Sequence, residues 1–158
     1  MKITRFLSPD NILLDLKSES KKKAIEEMVN FLVAGKILAA RSKKEIIKQI
    51  LKRESLGSTG IGQGIALPHC RTDKVKEVIL LFANAKGLEF NSLDGEPVTV
   101  LFFLLSPSSD DPGDRKVQES LELLSAITRL LKDRFFRQAL AEAKKPEDVL
   151  KIIGEEEG

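Results

Sequence analysis

The single histidine of the chain, His69, ends its most glycine-rich segment. Four of the ten glycines lie between Gly57 and Gly64, and Leu67–Pro68 then lead directly into the imidazole. A neutral imidazole presents one ring-nitrogen lone pair, which makes it a competent acceptor for a phosphoryl group. Backbone N–H groups of glycines can also form a concave nest that holds phosphate oxygens. These residue types at this spacing indicate phosphate chemistry at His69.

Polar and basic residues beside this segment suit the same chemistry. Ser58 and Thr59 offer hydroxyl groups next to the glycines. Arg53 and Arg71 can neutralise negative charge that passes to the imidazole. The candidate phosphate environment of His69 therefore comprises Ser58, Thr59, Gly60, Gly62, Gly64 and Arg71.

Other interpretations of this segment compete with phosphate transfer. A dinucleotide fingerprint needs G-x-G-x-x-G opening a helix, whereas here Pro68 follows soon after Gly64; a Walker A loop needs Gly-Lys-Ser/Thr, which is absent. Cys70 as a nucleophile with His69 as its base has poor geometry, because adjacent strand residues point to opposite faces. Cys70 is interpreted as a small buried hydrophobe. Taken alone, a histidine after a proline is more often a hydrogen-bonded turn residue, and a glycine cluster is more often a tight turn.

Composition restricts the class of protein. The chain has 158 residues, 42% of them hydrophobic, with 26 Lys plus Arg against 24 Asp plus Glu and a net charge of +2. This size and balance predict one globular domain that binds neither nucleic acid nor membrane electrostatically. One His and one Cys cannot form a Cys/His zinc site or an intramolecular disulfide. The longest apolar runs, Val78–Ala83 and Val100–Leu105, are too short to cross a bilayer, so we expect a cytoplasmic protein without direct membrane insertion.

The order of predicted elements indicates the fold class. Apolar spacing predicts a strand at Ile12–Leu16, two helices, several strands including Glu77–Ala85 and Pro97–Leu105, and three helices in the last third. The nearly continuous apolar stretch 98–105 indicates an interior strand covered on both faces. The prediction is a single α/β domain over residues 1–154, with a small mixed β-sheet sandwiched between helices in three layers (α/β/α). Residues 155–158 are expected to be a frayed acidic tail.

Three local features refine this prediction. Ser18 or Ser20 is expected to cap the first helix, and Ser42 to Glu45 has the pattern of a capping box for the second. The run Lys21–Lys23 is interpreted as a solvated helix face. The polar stretch Ser106–Gly113 is predicted to be a loop, and we expect it at the rim of the site.

In combination, the residues before His69 resemble a phosphorylation-site signature. Arg53–Glu54, Ser58–Gly62 and Ala66–His69 occur in the order and spacing found in fructose/mannitol-type and nitrogen-regulatory IIA domains. These domains belong to the bacterial phosphoenolpyruvate-dependent sugar phosphotransferase system. The resemblance covers nearly the whole chain, including Asp94-Gly95 before the apolar strand. The family's mixed sheet between helices agrees with the fold predicted above.

The resemblance implies a role for each matching residue. His69 would be the phosphorylated residue, as tele-phosphohistidine, and Arg53 would stabilise the phosphate. The phosphoryl group would come from the phosphocarrier HPr or a paralogue and pass to a IIB cysteine, with no metal or nucleotide cofactor. Many sugar-specific members carry a second histidine near the start of the long helix, where this chain has Ser120, a residue able to donate a hydrogen bond to phosphate.

Two functions follow as the main alternatives. The first is a phosphotransferase component that carries phosphoryl groups during sugar uptake. The second is a regulatory module whose His69 phosphorylation state controls binding to a target protein. A third possibility is a non-catalytic relative, since the same fold serves as a domain of anion transporters, but the intact motif at His69 argues against it.

Overall fold

A mixed six-stranded sheet forms the middle layer of the protein, which a computed structural model describes in full, residues 1–158. The two long central strands pair antiparallel with each other, and Phe82 meets Phe102 across them edge to face at 5.3 Å between ring centroids. The strands are β1 (Ile12–Leu13), β2 (Gly60–Gly62), β3 (Ile65–Ala66), β4 (His69–Thr72), β5 (Ile79–Leu88) and β6 (Val98–Pro107).

One strand, β6, organises the rest of the sheet. β5 lies antiparallel on one side of it, while β3 and β4 follow each other in parallel along its other side. The two short strands are separated by Leu67 and Pro68, and the Leu104 amide donates to the Pro68 carbonyl at 2.9 Å. The chain therefore rejoins β6 with His69 opposite Leu104. β1 completes the sheet in parallel with β5, and β2 pairs with β3 at the other edge.

Helices cover both faces, as the sequence predicted. Helices α1 and α2 pack on one face around a core that includes Met28, Ile50 and Phe103. The other three helices pack on the opposite face around Phe102, Ile127 and Leu140. Because β6 is buried on both faces, its sequence is apolar along almost its whole length. The helices are α1 (Lys21–Ala34), α2 (Lys43–Ser55), α3 (Arg115–Leu130), α4 (Arg134–Glu142) and α5 (Pro146–Glu157).

The two predicted helix caps have different outcomes. Ser20 caps α1, where its hydroxyl oxygen accepts from the Lys23 amide at 3.3 Å. The prediction of a capping box at Ser42 is wrong, because Ser42 has helical backbone angles and its side chain makes no capping hydrogen bond. It ends a short 3-10 helix, Ala40–Ser42, that runs directly into α2, so the chain never takes the extended N-cap geometry that a capping box requires.

The prediction of a frayed acidic tail at residues 155–158 is also wrong. Helix α5 continues to Glu157, whose carboxylate accepts from the Ile3 and Thr4 amides and, at 2.9 Å, from the Thr4 hydroxyl. These amides begin a short 3-10 helix, Ile3–Phe6, where the first N–H groups have no partner within the helix. The tail is ordered because it supplies the acceptor that these groups need. None of the five helices combines the length and the apolar character that crossing a bilayer would require.

Candidate functional site

His69 is the first residue of β4 and is half-buried. Its ring atom Nδ1 lies 2.7 Å from the Leu67 carbonyl oxygen. A carbonyl oxygen can only accept a hydrogen bond, so Nδ1 carries the ring proton in the neutral imidazole. The other nitrogen, Nε2, is then the one with the available lone pair.

The backbone of Leu67 holds this arrangement in place. The Leu67 amide donates to the Thr59 carbonyl at 3.0 Å. Pro68 restricts Leu67 to extended angles and contributes no N–H group of its own. The Leu67 carbonyl is thus presented to the imidazole two residues further on.

Cys70 points away from the imidazole into the opposite layer. Strand alternation sends its side chain against the core formed with α1 and α2. Burial disfavours the charged thiolate and raises the pKa of the Cys70 thiol from 9.0 to about 12. Cys70 therefore stays a neutral thiol near neutral pH, which agrees with its interpretation as a small apolar residue rather than a nucleophile.

The glycine segment is a β-hairpin rather than an open loop. Gly62 pairs with Ile65, and the two residues between them, Gln63 and Gly64, have φ of 58° and 78°. Positive φ at both positions is the geometry of a type I′ turn, which favours glycine. Gly60 is required for space, because a Cβ there would lie 2.4 Å from the Ser92 hydroxyl oxygen.

Asp94 fastens this hairpin to the loop before β6. Its carboxylate accepts from the Gln63 amide at 2.9 Å and from the Glu96 amide at 3.0 Å. These backbone hydrogen bonds stabilise the charged form and hold the pKa of Asp94 below its ordinary value. The Asp94-Gly95 pair noted in the sequence thus supports the glycine segment.

The amide and hydroxyl groups expected around phosphate already have internal partners in several places. The Gly60 amide donates to the Ser58 hydroxyl oxygen at 3.0 Å, and Ser58 Oγ donates to the Phe90 carbonyl at 2.7 Å. Thr59 is buried, and its hydroxyl donates to the Glu54 carboxylate. Ser58 and Thr59 therefore build the loop, while phosphate contacts from Gly62 and Gly64 stay predictions.

The two candidate arginines lie on different elements. Arg53, in the last turn of α2, donates from Nη1 to the Gly57 carbonyl at 2.9 Å. A guanidinium has five N–H donors, so this single bond orients the group and leaves others for an anion. Arg71 is exposed two residues along β4, which places it on the same face of the strand as His69.

An ion pair beneath the loop was missed by the sequence interpretation. Lys21 Nζ lies 3.0 Å from Glu54 Oε1, and the exposed fractions of the two side chains are 16% and 3%. Lys21 Nζ also lies 4.8 Å from the centroid of the Phe90 ring. The interpretation of Lys21–Lys23 as a solvated face is therefore wrong for Lys21, although Lys22 and Lys23 are exposed. A lysine at the first position of a helix is unfavourable with respect to the helix dipole. This was the signal in the sequence that Lys21 needs an acidic partner.

No metal-binding arrangement is present. No group of three or more His, Cys, Asp or Glu side chains converges closely enough to hold an ion.

Comparison with known proteins agrees with the site and the fold. The profile of the family described as "Phosphoenolpyruvate-dependent sugar phosphotransferase system, EIIA 2" matches residues 5–156. The chain belongs to this family. The resemblance stated from the motif at His69 is confirmed.

Relatives within the EIIA 2 family include both sugar-transport components and nitrogen regulatory proteins by name. The chain is 36% identical over 98% of its length to the fructose-specific EIIABC component of Bacillus subtilis, of which it spans only 23%. It is 35% identical to the nitrogen regulatory protein of Pseudomonas aeruginosa, covering 97% of this chain and 95% of that protein. The crystal structure of nitrogen regulatory protein IIA-Ntr from Neisseria meningitidis superposes with a TM-score of 0.82 at 31% identity, covering 96% of this chain and 98% of that one.

Ser120, for which the resemblance implies a place near the phosphate, is buried. Ser120 in α3 is 4% exposed, and its hydroxyl donates to the Val117 carbonyl of the same helix at 2.8 Å. The proton predicted to bind phosphate is thus used within the helix. A phosphate contact from Ser120, which stays a prediction, would require this hydrogen bond to be exchanged.

Proposed function

We propose that the protein is a phosphocarrier in which His69 Nε2 accepts a phosphoryl group from an HPr-type protein. The observation that carries this proposal is the contact between His69 Nδ1 and the Leu67 carbonyl, which leaves Nε2 as the nucleophilic nitrogen. In the transfer, the donor's N–P bond breaks as the Nε2–P bond forms. No proton needs to leave the ring, because Nδ1–H continues to donate to Leu67.

Charge stabilisation is assigned to Arg53 and Arg71. A phosphoryl group in transfer spreads negative charge over its oxygens, and the protein's contribution is positioning and electrostatic stabilisation. Arg53 is already oriented by its bond to Gly57, so its free N–H groups would hold phosphate at little entropic cost. Arg71 would add charge on the same side of β4.

An apolar rim around the hairpin supports protein partners. Leu56 and Leu93 are each 79% exposed, and Ile61 is 42% exposed. Leu93 is tied to the hairpin, since its amide donates to the Gly60 carbonyl at 3.1 Å. A shallow apolar surface of this kind suits short-lived contacts with a donor such as HPr and an acceptor such as IIB.

The phosphorylation step is tested with the protein, phosphoenolpyruvate, the first enzyme of the system and HPr. We expect an acid-labile, base-stable mass gain that is absent in His69→Ala and retained in the matched Cys70→Ala variant. No gain in the wild type, or a gain that survives His69→Ala, would refute the proposal. Nitrogen-edited NMR of the product should place phosphorus on Nε2.

The destination of the phosphoryl group separates two functions. Transfer to a IIB cysteine would make the protein part of sugar uptake, as the name of the EIIABC relative suggests. Regulation is favoured by Ser120, which replaces a second imidazole with a hydroxyl group engaged inside α3.

Two measurements distinguish these functions. Transfer to a IIB domain in the reconstituted system would support uptake. For regulation, a pull-down should recover different partners with the wild type, His69→Ala and His69→Asp. Identical partners for all three forms would count against the regulatory function.

A further inference from the structure

The ion pair of half-buried Lys21 and buried Glu54 lies at the start of a continuous chain of contacts that ends at the imidazole. Glu54 accepts from the Thr59 amide at 3.1 Å and also from the Thr59 hydroxyl. The Thr59 carbonyl accepts from the Leu67 amide at 3.0 Å, and the Leu67 carbonyl lies 2.7 Å from His69 Nδ1. Each member of the chain fixes the backbone that presents the next one.

The burial of Glu54 is unusual for a carboxylate and needs an explanation. Its side chain is only 3% exposed, at the end of a helix whose other charged residues are largely solvated. Buried carboxylates are tolerated when their oxygens are fully engaged, as they are here by two Thr59 donors and the Lys21 ammonium. An apolar residue could fill the same space, but it could not hold both donors of Thr59.

Lys21, at the start of α1, contacts the Glu54 carboxylate and two further groups. Its ammonium lies 3.0 Å from Glu54 Oε1, 3.5 Å from Ser58 Oγ and 4.8 Å from the centre of the Phe90 ring. The aromatic face and the carboxylate together stabilise the partly desolvated charge. The pair thus joins the start of α1 to the end of α2, directly beneath the loop that leads to β2.

We propose that Glu54, held in place by Lys21, is a positioning residue that selects Nε2 of His69 as the phosphoryl acceptor. It acts through Thr59 and Leu67 and touches neither phosphate nor the imidazole. If the Thr59 backbone shifts, the Leu67 carbonyl moves away from Nδ1 and the ring proton is free to occupy either nitrogen. The fraction of molecules with an available Nε2 lone pair then falls. This inference rests on the proposed function of His69.

The test uses nitrogen-15 NMR of the unphosphorylated protein, where the only imidazole is His69. With the imidazole neutral, the wild type should show one tautomer, with the proton on Nδ1. Glu54→Gln keeps the size of the side chain but loses its charge and one acceptor oxygen. We expect this variant to show mixed tautomers and a phosphorylation rate lowered several-fold, because fewer molecules have a free Nε2 lone pair and the ring is less well oriented.

A matched control and a milder variant isolate the effect. Glu45→Gln makes the same substitution on the exposed side of α2 and should change neither the tautomer nor the rate. Thr59→Val removes only the hydroxyl donor and should give a smaller shift in the same direction. If Glu54→Gln does not fold, Thr59→Val decides the question.

The positioning role is overturned if the folded Glu54→Gln variant, or Thr59→Val in its place, keeps the wild-type tautomer and rate. Loss of stability with an unchanged tautomer would likewise show a structural role only. The tautomer is measured without phosphate. A wild type that fails to become phosphorylated would therefore refute the proposed function without deciding the role of Glu54.

Discussion

Gly60 packs against Ser92 so closely that a Cβ on the glycine would lie 2.4 Å from the serine hydroxyl oxygen and 3.0 Å from its Cα. A flexible side chain could rotate away, but the Ser92 backbone cannot. The hairpin that precedes His69 is therefore held against the loop before β6 at a distance that only glycine permits. Its position depends on this contact as well as on the turn at Gln63 and Gly64.

Gly60→Ala should force the hairpin and the Ser92 loop apart. We expect it to lower the free energy of unfolding by roughly 1–3 kcal/mol and to slow phosphorylation of His69. Gly154→Ala is the control, because its Cβ would meet nothing within 4 Å in helix α5. That variant should stabilise the protein by up to about 1 kcal/mol. Equal unfolding midpoints for the two variants in urea would contradict the packing argument.

Asp94 should make the hairpin sensitive to acid. Its pKa is lowered from 3.8 by the Gln63 and Glu96 amides, so its stabilising effect is present above that value and is lost as pH falls through the lowered pKa. The stability of Asp94→Asn should therefore be lower than that of the wild type at pH 7, and the two stabilities should converge in acid. Thermal unfolding across this range measures the difference, together with the Gln63 amide signal. Asp110→Asn, in an exposed loop, should show no such convergence, and a constant offset for Asp94→Asn would exclude the mechanism.

Leu93 should contribute to partner binding without supporting the fold. Because 79% of its surface is exposed, Leu93→Ser should leave the unfolding free energy within about 0.5 kcal/mol of the wild type. We expect the rate of phosphorylation by HPr to fall several-fold at low HPr concentration and to recover as HPr approaches saturation. Phe135→Ser is a suitable control, since Phe135 is 78% exposed on α4, outside the glycine hairpin. A rate unchanged by Leu93→Ser would remove this residue from the docking surface.

Glu157 should stabilise the N-terminal segment. Glu157→Ala removes the acceptor for the Ile3 and Thr4 amides, and we expect a loss of about 1–2 kcal/mol in unfolding free energy. Glu156→Ala, one residue earlier and exposed, is the matched control. Faster amide exchange at Ile3 and Thr4 in Glu157→Ala alone would confirm the contact. Equal stability of the two variants would support a frayed end instead.

Features written in local sequence were predictable. The apolar run in β6 indicated a strand covered on both faces, and the spacing of apolar residues located all five helices. Ser20 is followed by helical periodicity, so its capping role followed from its neighbours. His69 stood out because the chain contains no other imidazole.

Features that depend on distant pairs were not predictable. In the sequence, Lys21 is part of a lysine run typical of a solvated face. Its partner Glu54 lies on α2, and the packing of α1 against α2 brings the two side chains to 3.0 Å. Glu157 likewise finds its acceptor role only when the two ends of the chain meet. The glycines suggested an open anion nest, because sequence spacing alone does not show which amides a hairpin has already engaged.

The number of neighbours that each strand has in the sheet also predicts how readily its backbone amides exchange with solvent. β5 and β6 are consecutive in the chain and form the long central pair, whereas β4 has β6 as its only neighbour. Fewer backbone hydrogen bonds must break to release β4 than to open the centre. We therefore expect the amides of the strand that carries His69 to exchange before those of the central pair. β4 shares this property with β1 and β2, each of which also has a single neighbouring strand.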